Sequence, residues 1–488
     1  MSLSNQTFIL KNDGTLWGCG LNSSGELGLE NTDNRTIFTQ ITANVDNIKS
    51  IYCSANYTFI LKNDSTLWGC GNNYYGQLGL GDTNKRTTFT QIISDVKSVY
   101  CGGDYTVILK NNGTLWGCGH NTNYPFGLGQ QDMDNKLIFT QITINTDNVK
   151  SVYCGSDYTL ILKNDGTLWG CGNNTYGQLG LEDTGVKPIF TMIGSNPGDI
   201  KSICCGNNYT LILQNNGTLW GCGYNGNGEL GLGDTTSRNI FIKILDDIKS
   251  VYCSNGHTII LKNDGTLWGS GYNAYGQLGL GDTNKRTIFT KITDNIKSVC
   301  CGNYYTIILK NDGTLWGCGA NVFGQLGLGD TNNRNTFTQV TENADNIKSF
   351  ANYYPDLPSV IKIYDMQVGY AETLDTNNFR NISTNNFEKI KVLYTKPLNT
   401  YANCLISFDK KQTWKTFNGT TWTTISDISP SNIILNCMDI ETLNTLTKQD
   451  LIKAGFTGNL DFKVAIKTNN EKVTPSITKI YMIYKNPF

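Results

Sequence analysis

The chain has 488 residues, of which 39 are Lys or Arg and 40 are Asp or Glu, so its formal net charge is −1. This balance argues against nucleic acid as a partner, because binding to a phosphate backbone needs an excess of positive charge. Aromatic residues form 11% of the chain, and no apolar run is long enough to cross a membrane, so we expect a folded, β-rich protein without membrane insertion.

Residues 4–350 consist of a repeated unit. A Leu-Trp-Gly tripeptide recurs seven times, at intervals of 48 to 53 residues, and its tryptophans are Trp17, Trp68, Trp116, Trp169, Trp220, Trp268 and Trp316. Periods of this length are typical of solenoids, propellers and arrays. A phosphate-binding loop is needed only once, between one strand and one helix, so seven glycine-rich copies indicate that these glycines shape the chain.

The third copy, residues 95–142, shows what one repeat builds. DVKSVYCG, YTVILK and TLWGCG are predicted as three strands, with Asn112-Gly113 as the hairpin turn between the second and the third. A glycine-rich loop leads to an outer strand, IFTQI (138–142). The inner strands are apolar on both faces, and blades packed around a central axis cover both faces. We therefore predict four antiparallel strands per repeat.

The two ends of the repeat region predict how the ring closes. The first copy begins at its second strand, QTFILK (6–11). The last copy is followed by DNIKSFAN (345–352), which has the pattern of a first strand but is not followed by the second strand of another repeat. Pairing of these two segments would remove two exposed sheet edges. The prediction is an all-β, seven-bladed propeller over residues 1–352, followed by a smaller β-rich domain over residues 353–488.

The repeat resembles that of the regulator of chromosome condensation family. The resemblance rests on GTLWGCG-type strands and on the Gly-Gln-Leu-Gly-Leu-Gly run at 76–81, 276–281 and 324–329. It implies a seven-bladed propeller. The founders of the family often have a His at the start of the second strand, where this chain keeps only His257 and has Tyr in five other copies. Their exchange surface has no residue-by-residue match here. Nucleotide exchange is therefore not supported, and His257 is expected to be a core residue.

Most of the sixteen cysteines follow the repeat. In six copies a cysteine directly follows the Trp-Gly pair, and in the sixth copy Ser270 stands at that position. The exchange of Cys for Ser indicates a buried position that accepts only a small side chain. We expect thiols rather than disulfides. With no CxxC pair and only His120 and His257 as histidines, we predict no metal site and no cofactor.

The composition changes after Tyr353. Five segments are predicted as strands and 447–455 as a short helix capped by Thr447, and the strands suggest a sandwich. SFDKKQTW (407–414) resembles an Asp-box, a turn in which Asp409 would cap and Trp414 would pack beneath, although Lys411 stands where Gly is usual. This region as a whole loosely resembles domains of tail and fibre proteins from phages of Gram-positive bacteria.

Two sets of residues are candidate ligand-binding sites. The first set is the lysine that opens each innermost strand, and these lysines are expected to ring one mouth of the channel: Lys49, Lys97, Lys150, Lys201, Lys249, Lys297 and Lys348. An Asn or Asp stands two residues before each lysine. The ring could hold an acidic polymer such as teichoic acid, or the alternating charges could cancel and leave only a solvated strand start.

The second set is aromatic and precedes the Gly-Gln-Leu run: Tyr75, Tyr176, Tyr275 and Phe323, with Tyr124 nearby in the irregular third copy. Aromatic faces stack on sugars, and the alternative is that these rings pack the loops. Within the third copy, the segment 120–136 departs most from the repeat pattern, so a distinct contact is expected there.

No nucleophile, base and acid form a recognisable set, so we predict that the protein is not an enzyme. The leading hypothesis is an adhesion protein of a phage tail or bacterial surface that recognises a surface polysaccharide or protein and contacts other tail components. The alternative is an intracellular interaction scaffold or an exchange-factor-like propeller. Residues 1–15 lack a secretory signal, which suits a virion tail, a cell surface reached without a signal, or the cytoplasm.

Overall fold

A computed structural model describes residues 4–129 and 132–350 and, beyond these, the backbone of seven strands between residues 389 and 483. Side chains are described up to residue 347. The regular structure of the described residues is β-strand throughout. By its contacts the chain divides into two compact units, Met1–Asp356 and Leu357–Phe488.

The first unit is a propeller of seven four-stranded antiparallel sheets. Its strands are β1 (Gln6–Lys11), β2 (Leu16–Gly20), β3 (Arg35–Ile41), β4 (Ile48–Cys53), β5 (Tyr57–Lys62), β6 (Leu67–Gly71), β7 (Arg86–Ile93), β8 (Val96–Cys101), β9 (Tyr105–Lys110), β10 (Leu115–Gly119), β11 (Lys136–Ile142), β12 (Val149–Cys154), β13 (Tyr158–Lys163), β14 (Leu168–Gly172), β15 (Lys187–Met192), β16 (Ile200–Cys205), β17 (Tyr209–Gln214), β18 (Leu219–Gly223), β19 (Arg238–Leu245), β20 (Ile248–Cys253), β21 (His257–Lys262), β22 (Leu267–Gly271), β23 (Arg286–Thr293), β24 (Ile296–Gly302), β25 (Tyr305–Lys310), β26 (Leu315–Gly319), β27 (Arg334–Val340) and β28 (Ile347–Phe350).

Blades 2 to 7 each use four consecutive strands, beginning at β4, β8, β12, β16, β20 and β24. The first strand of each blade contacts the first strand of the next from β4 through to β24, so these strands surround the central axis. Blade 1 combines β28 with β1, β2 and β3. Strand β28 pairs with β1 in antiparallel register, with Ile9 opposite Phe350, which confirms the predicted closure.

The second strand of each blade is buried along nearly its whole length, as the apolar runs predicted. Neighbouring blades cover its two faces. At the hairpin after it, Asp165 accepts hydrogen bonds from the N–H and hydroxyl of Thr167 at 2.9 and 2.7 Å, and Thr167 accepts one from Trp169 Nε1 at 3.0 Å. The repeated Asp-Gly-Thr-Leu-Trp sequence thus fixes the turn and orients the tryptophan.

A chain of side-chain hydrogen bonds joins the blades around the axis. The first residue of the second strand is a fully buried Tyr in five blades, and its hydroxyl donates to the carbonyl of the same position in the next blade. The pairs are Tyr57 to Tyr105 (2.6 Å), Tyr105 to Tyr158 (2.5 Å), Tyr158 to Tyr209 (2.6 Å), Tyr209 to His257 (2.8 Å) and Tyr305 to Gln6 (2.8 Å). The aromatic residue that replaces the family histidine is therefore a connector between blades.

Fourteen of the sixteen cysteines have described side chains, and twelve of them fill the small slots that the repeat predicted, while Cys204 and Cys300 stand where other innermost strands have Tyr. All of the fourteen but Cys204 and Cys253 are buried free thiols, and burial raises the pKa of the Cys205 thiol to about 12. Cys204 and Cys253, on the innermost strands of blades 5 and 6, face each other with their Cα atoms 5.9 Å apart, which is within the span of a disulfide, and the expectation of thiols stays a prediction for this pair.

The described strands of the second unit are β29 (Lys389–Thr395), β30 (Thr400–Ser407), β31 (Trp414–Phe417), β32 (Trp422–Ile425), β33 (Met438–Asp439), β34 (Asp461–Thr468) and β35 (Ser476–Ile483). Strand β29 pairs with β35, and the others form a second antiparallel sheet in which β30 pairs with β31, β33 and β34. The predicted helix at 447–455, the first predicted strand of the tail (359–367) and residues 408–413 of the Asp-box lie outside the described residues, so these predictions and the sandwich remain predictions.

Candidate functional site

The two predicted sets of site residues lie at opposite ends of the propeller. The lysines open the innermost strands, beside the hairpin that ends the second strand: Ile48 is opposite Lys62 in the register. The aromatic residues follow the third strand, whose end is opposite the start of the second: Gly71 is opposite Tyr57. We call the first end the lysine face and the second end, formed by the glycine-rich loops and the turns between first and second strands, the loop face.

The aromatic set is distributed around the loop face, with one ring in each of blades 2, 4, 6 and 7. In each loop the backbone N–H of the aromatic residue donates to the buried Gln two positions on, for example Tyr176 to Gln178 Oε1 at 2.9 Å. The same bond holds Tyr75, Tyr275 and Phe323. Tyr176 and Tyr275 are 40% and 37% exposed. The set therefore forms separate patches and not a single platform.

Tyr124 does not belong to the aromatic set. Its N–H donates to Asn121 O, as the N–H of Gly76 donates to Asn73 O in blade 2, so Tyr124 occupies the position of a glycine. It keeps the left-handed backbone of that glycine, with φ of 59° against 80° for Gly76. Tyr124 was grouped with the aromatic set only as a residue nearby in the irregular copy, and a ligand-binding role for it stays a prediction.

Three tyrosines meet where blades 6 and 7 adjoin on the loop face. The rings of Tyr272 and Tyr275, from the glycine-rich loop of blade 6, lie 5.5 and 5.3 Å from that of Tyr304 in blade 7. Asn255 Nδ2 donates to the Tyr304 hydroxyl at 2.6 Å. We call Tyr272, Tyr275 and Tyr304 the tyrosine cluster. Of its members, the sequence predicted only Tyr275.

Tyr304 has a left-handed backbone, with φ of 60°, which a bulky residue adopts only under strain. In the other six blades the residue before the second strand is Asn, Asp or Gly: Asn5, Asn56, Asp104, Asp157, Asn208 and Gly256. A side chain that is both aromatic and strained at one of seven equivalent positions is typical of a functional site. Comparing the seven copies at this position would have found it from the sequence.

A second polar group lies on the loop face between blades 3 and 4. His120 Nδ1 is 3.9 Å from Asp157 Oδ1, and its ring lies 4.8 Å from that of Tyr75. Burial raises the pKa of both Asp104 and Asp157, and His120 partly offsets the effect. This group falls next to the irregular third copy, where a distinct contact was expected, and sequence reasoning did not assign it.

Replacing Asp157 by Asn, the residue at the equivalent position 208, is expected to stabilise the propeller at about pH 8, because burial penalises the charged carboxylate. The pKa of Asp157 is raised in the folded state, so between its ordinary pKa and the raised pKa the folded state binds more protons than the unfolded state. The contribution of Asp157 to stability therefore falls as the pH rises between these two values. Urea unfolding at about pH 8 and about pH 4 checks this, with Asp134→Asn, at an exposed position of the third copy, as control. An equal gain at both pH values would contradict the prediction.

On the lysine face, Lys49, Lys97, Lys150, Lys249 and Lys297 are exposed and Lys201 is half-buried, while the Lys348 side chain is outside the described set. The Asn or Asp two residues earlier has a left-handed backbone in all seven blades: Asn47, Asp95, Asn148, Asp199, Asp247, Asn295 and Asn346. Asn and Asp tolerate this conformation better than other side chains do. The repeated pattern therefore reflects a backbone requirement, and both the acidic-polymer site and the solvated strand start stay predictions.

A second series of lysines, which sequence reasoning missed, ends the second strand. Each Nζ lies 4.0 to 4.5 Å from the centroid of the repeat tryptophan in six blades, in the pairs Lys11–Trp17, Lys62–Trp68, Lys110–Trp116, Lys163–Trp169, Lys262–Trp268 and Lys310–Trp316. In blade 5 Gln214 replaces the lysine, and its Oε1 accepts from Trp220 Nε1 at 2.9 Å. These contacts are structural, and they cover the tryptophans.

The remaining histidine, His257, is fully buried in the core, and burial lowers its pKa to about 3. Its Nε2 lies 3.0 Å from Thr306 Oγ1 in the next blade. Among the described residues no three His, Cys, Asp or Glu side chains are grouped as metal ligands would be. No helix of this part of the chain has the length and apolarity needed to cross a bilayer.

Comparison with known proteins identifies the family. The model of the RCC1-like domain matches residues 94–353, more than half of the chain, and that of the regulator of chromosome condensation (RCC1) repeat matches residues 13–61 and 64–109. The chain belongs to the RCC1-like domain family.

Curated relatives match parts of the propeller. Ultraviolet-B receptor UVR8 of Arabidopsis thaliana is 29% identical over 244 residues, which are 48% of this chain and 54% of the receptor. X-linked retinitis pigmentosa GTPase regulator of Mus musculus is 36% identical over 94 residues, 19% of this chain and 9% of that protein. Probable E3 ubiquitin-protein ligase HERC4 of Homo sapiens is 26% identical over 200 residues, 39% of this chain and 19% of the ligase. The chain thus spans about half or less of the length of these relatives.

Two solved structures show the same fold. Human WBSCR16 superposes with a TM-score of 0.58 at 20% identity, covering 69% of this chain and 94% of that one. Prp20p of Saccharomyces cerevisiae gives 0.60 at 20% identity, covering 70% and 88%. These likenesses establish the propeller fold.

Proposed function

We propose that this chain is a non-enzymatic protein-interaction propeller that binds a partner protein on its loop face. The observation that carries the proposal is Tyr304, a strained aromatic residue at a position that is otherwise Asn, Asp or Gly. Backbone strain of this kind costs about 1–3 kcal/mol, is kept by the surrounding structure and is concentrated at binding and catalytic sites. Here it holds the Tyr304 ring against Tyr275 and Tyr272 at the surface.

The chemistry of the tyrosine cluster suits a protein partner. Tyrosine is enriched among the residues that dominate binding energy in protein interfaces, because it combines a large apolar surface with a polar tip. Asn255 and Asn303 lie beside the cluster, joined by a 3.1 Å hydrogen bond, and supply amide groups at its rim.

The family relatives support a scaffold role. Their names describe a GTPase regulator, an ultraviolet-B receptor and a ubiquitin ligase, which differ in activity and share the RCC1-like repeat. A fold that serves such different activities is used as a frame that presents a binding surface. This supports the intracellular scaffold hypothesis over adhesion on a phage tail or cell surface, which remains a competing prediction, as does exchange-factor activity.

The test measures two effects of one substitution: partner binding is expected to weaken, while the free energy of unfolding is expected not to fall. Tyr304→Asn is expected to weaken partner binding at least tenfold, since truncation of an interface anchor costs about 2 kcal/mol or more. The same change is expected to leave the free energy of unfolding unchanged or higher, because Asn tolerates a left-handed backbone. Tyr74→Ala, which removes a more exposed ring in blade 2, is the control.

Partners would be captured from source-organism extract with the full chain, identified by quantitative mass spectrometry, purified and titrated against each variant. A partner protein whose affinity falls with Tyr304→Asn and not with Tyr74→Ala supports the proposal. A partner indifferent to Tyr304→Asn would exclude the tyrosine cluster as the site. Binding to purified Gram-positive cell wall, with no protein partner, would favour the adhesin instead.

A further inference from the structure

The lysine face carries a ring of positive charge around one mouth of the channel. Each innermost strand contributes its lysine at the same register position, one residue before a Ser, and these strands surround the axis. The side chains of Lys49, Lys97, Lys150, Lys249 and Lys297 reach solvent. The ring is therefore accessible to a ligand that approaches along the axis.

The nearest repeated carboxylates are bound elsewhere. Those of Asp95, Asp199 and Asp247 accept hydrogen bonds from hairpin amides: Asn111 Nδ2 to Asp95 (2.8 Å), Asn215 Nδ2 to Asp199 (2.6 Å) and Asn263 Nδ2 to Asp247 (2.8 Å). These hydrogen bonds tie the carboxylates to the hairpins that end the second strands. At the other four equivalent positions the residue is a neutral Asn.

A second series of acidic residues is also engaged. Asp46, Asp147 and Asp345 pair with the lysines that end the second strands: Lys62 (2.6 Å), Lys163 (2.9 Å) and Lys11 (2.7 Å). Those lysines lie over tryptophans and are not in the ring. The acidic residues of this face thus neutralise the outer lysines and not the axial ones.

Five of the ring lysines have no carboxylate partner among the described residues. Within the described part of the chain, no carboxylate lies within 4.0 Å of the Nζ of Lys49, Lys150, Lys201, Lys249 or Lys297. Lys201 Nζ donates to the backbone carbonyl of Lys249 at 2.8 Å. Burial, and then the charge of Lys249, lower the pKa of Lys201. Neighbouring ring lysines thus repel one another, and an anion bound between them would relieve the repulsion.

We infer that the lysine ring binds a polyanion that carries several phosphate groups. Ammonium groups bind phosphate as point charges and do not require a fixed fork geometry, so a ring of exposed lysines suits clustered phosphates. Nucleic acid fits less well, because single strands need aromatic platforms. The tryptophans of this face are covered by the outer lysines. Three kinds of molecule carry clustered phosphate groups of this kind: an inositol polyphosphate, an inorganic polyphosphate and a phosphate-containing cell-wall polymer.

The test is calorimetric titration of the full chain with inositol hexakisphosphate, sodium polyphosphate, purified teichoic acid and poly-glutamate. The variant Lys150→Gln/Lys249→Gln/Lys297→Gln removes three ring charges. The control Lys85→Gln/Lys285→Gln/Lys291→Gln makes the same change in net charge at exposed lysines of the loop face and an outer strand. The phosphate ligand that binds most tightly identifies the source.

The ring variant is expected to bind at least tenfold more weakly and with a shallower dependence of affinity on salt, because fewer counterions are released. The control is expected to bind like the parent, and all three proteins to unfold at the same temperature. No binding of any phosphate ligand, equal weakening by the control, or tighter binding of poly-glutamate than of every phosphate ligand would overturn the inference.

Discussion

Acidification below about pH 6.5 is expected to destabilise the propeller through His257, by about 2 kcal/mol at about pH 5. His257 is fully buried, and its pKa is lowered to about 3. Between the ordinary histidine pKa of about 6.5 and the lowered pKa of about 3, His257 is protonated in the unfolded chain and neutral in the folded chain. Stability therefore falls as the pH falls below the ordinary pKa of histidine, and the loss levels off near the lowered value.

The variant His257→Tyr is expected to remove this acid sensitivity and to raise stability at neutral pH by about 1 kcal/mol through a restored hydrogen bond. Five blades have Tyr at this position. Blade 2 shows that the ring fits beside a serine in the preceding turn, since Ser54 and Tyr57 stand where blade 6 has Ser254 and His257. The new hydroxyl would donate to the Tyr305 carbonyl.

Urea unfolding of the parent, His257→Tyr and His120→Gln across about pH 4 to 8 tests both statements. His120→Gln removes the half-buried histidine of the loop face and serves as the control. Parallel pH profiles of the parent and His257→Tyr would show that His257 does not carry the acid sensitivity.

Gly177→Ala is expected to destabilise the propeller by about 3 kcal/mol or more. Gly177 has φ of 79°, and a Cβ atom there would lie 2.4 Å from the Cα of Asn239 in the next blade. The backbone would be strained, and the two blades would have to separate. Both effects reduce the free energy of unfolding.

Gly166→Ala is the matched control for this prediction. Gly166 has nearly the same φ, 85°, but no atom lies within 4 Å of the Cβ position. It is expected to cost only the backbone strain, about 1–2 kcal/mol. Chemical denaturation of the two variants separates strain from the contact between blades, and equal losses would refute the steric part of the argument.

The propeller could be predicted well because the sequence features that define it recur at a regular spacing. The spacing of Trp17 to Trp316 gave seven blades, and the unmatched first strand after residue 345 gave the closure. Each feature depends on local strand and turn preferences repeated seven times. Agreement among copies compensates for the ambiguity of any single one.

The candidate sites were less predictable because they depend on directions and on contacts between blades. The residue type of Asp95 or Asp247 does not show that its carboxylate binds a hairpin amide and not a lysine. The tyrosine cluster joins residues about thirty positions apart, in different blades. Tyr304 could have been recognised as the exception among the seven equivalent positions, whereas its contact with Tyr275 required the fold.

Two of the seven junctions between blades lack the Tyr hydroxyl link: Gln6 Nε2 donates to Ser54 O between blades 1 and 2, and His257 stands at the junction of blades 6 and 7. A Tyr hydroxyl crosses to the next blade's equivalent carbonyl at five junctions, but between blades 6 and 7 the link is His257 to Thr306. The tyrosine cluster bridges the same junction from the outside. A partner seated there would act as a clamp across this junction, so binding should slow amide exchange in β24 and β25 more than in the opposite half of the ring.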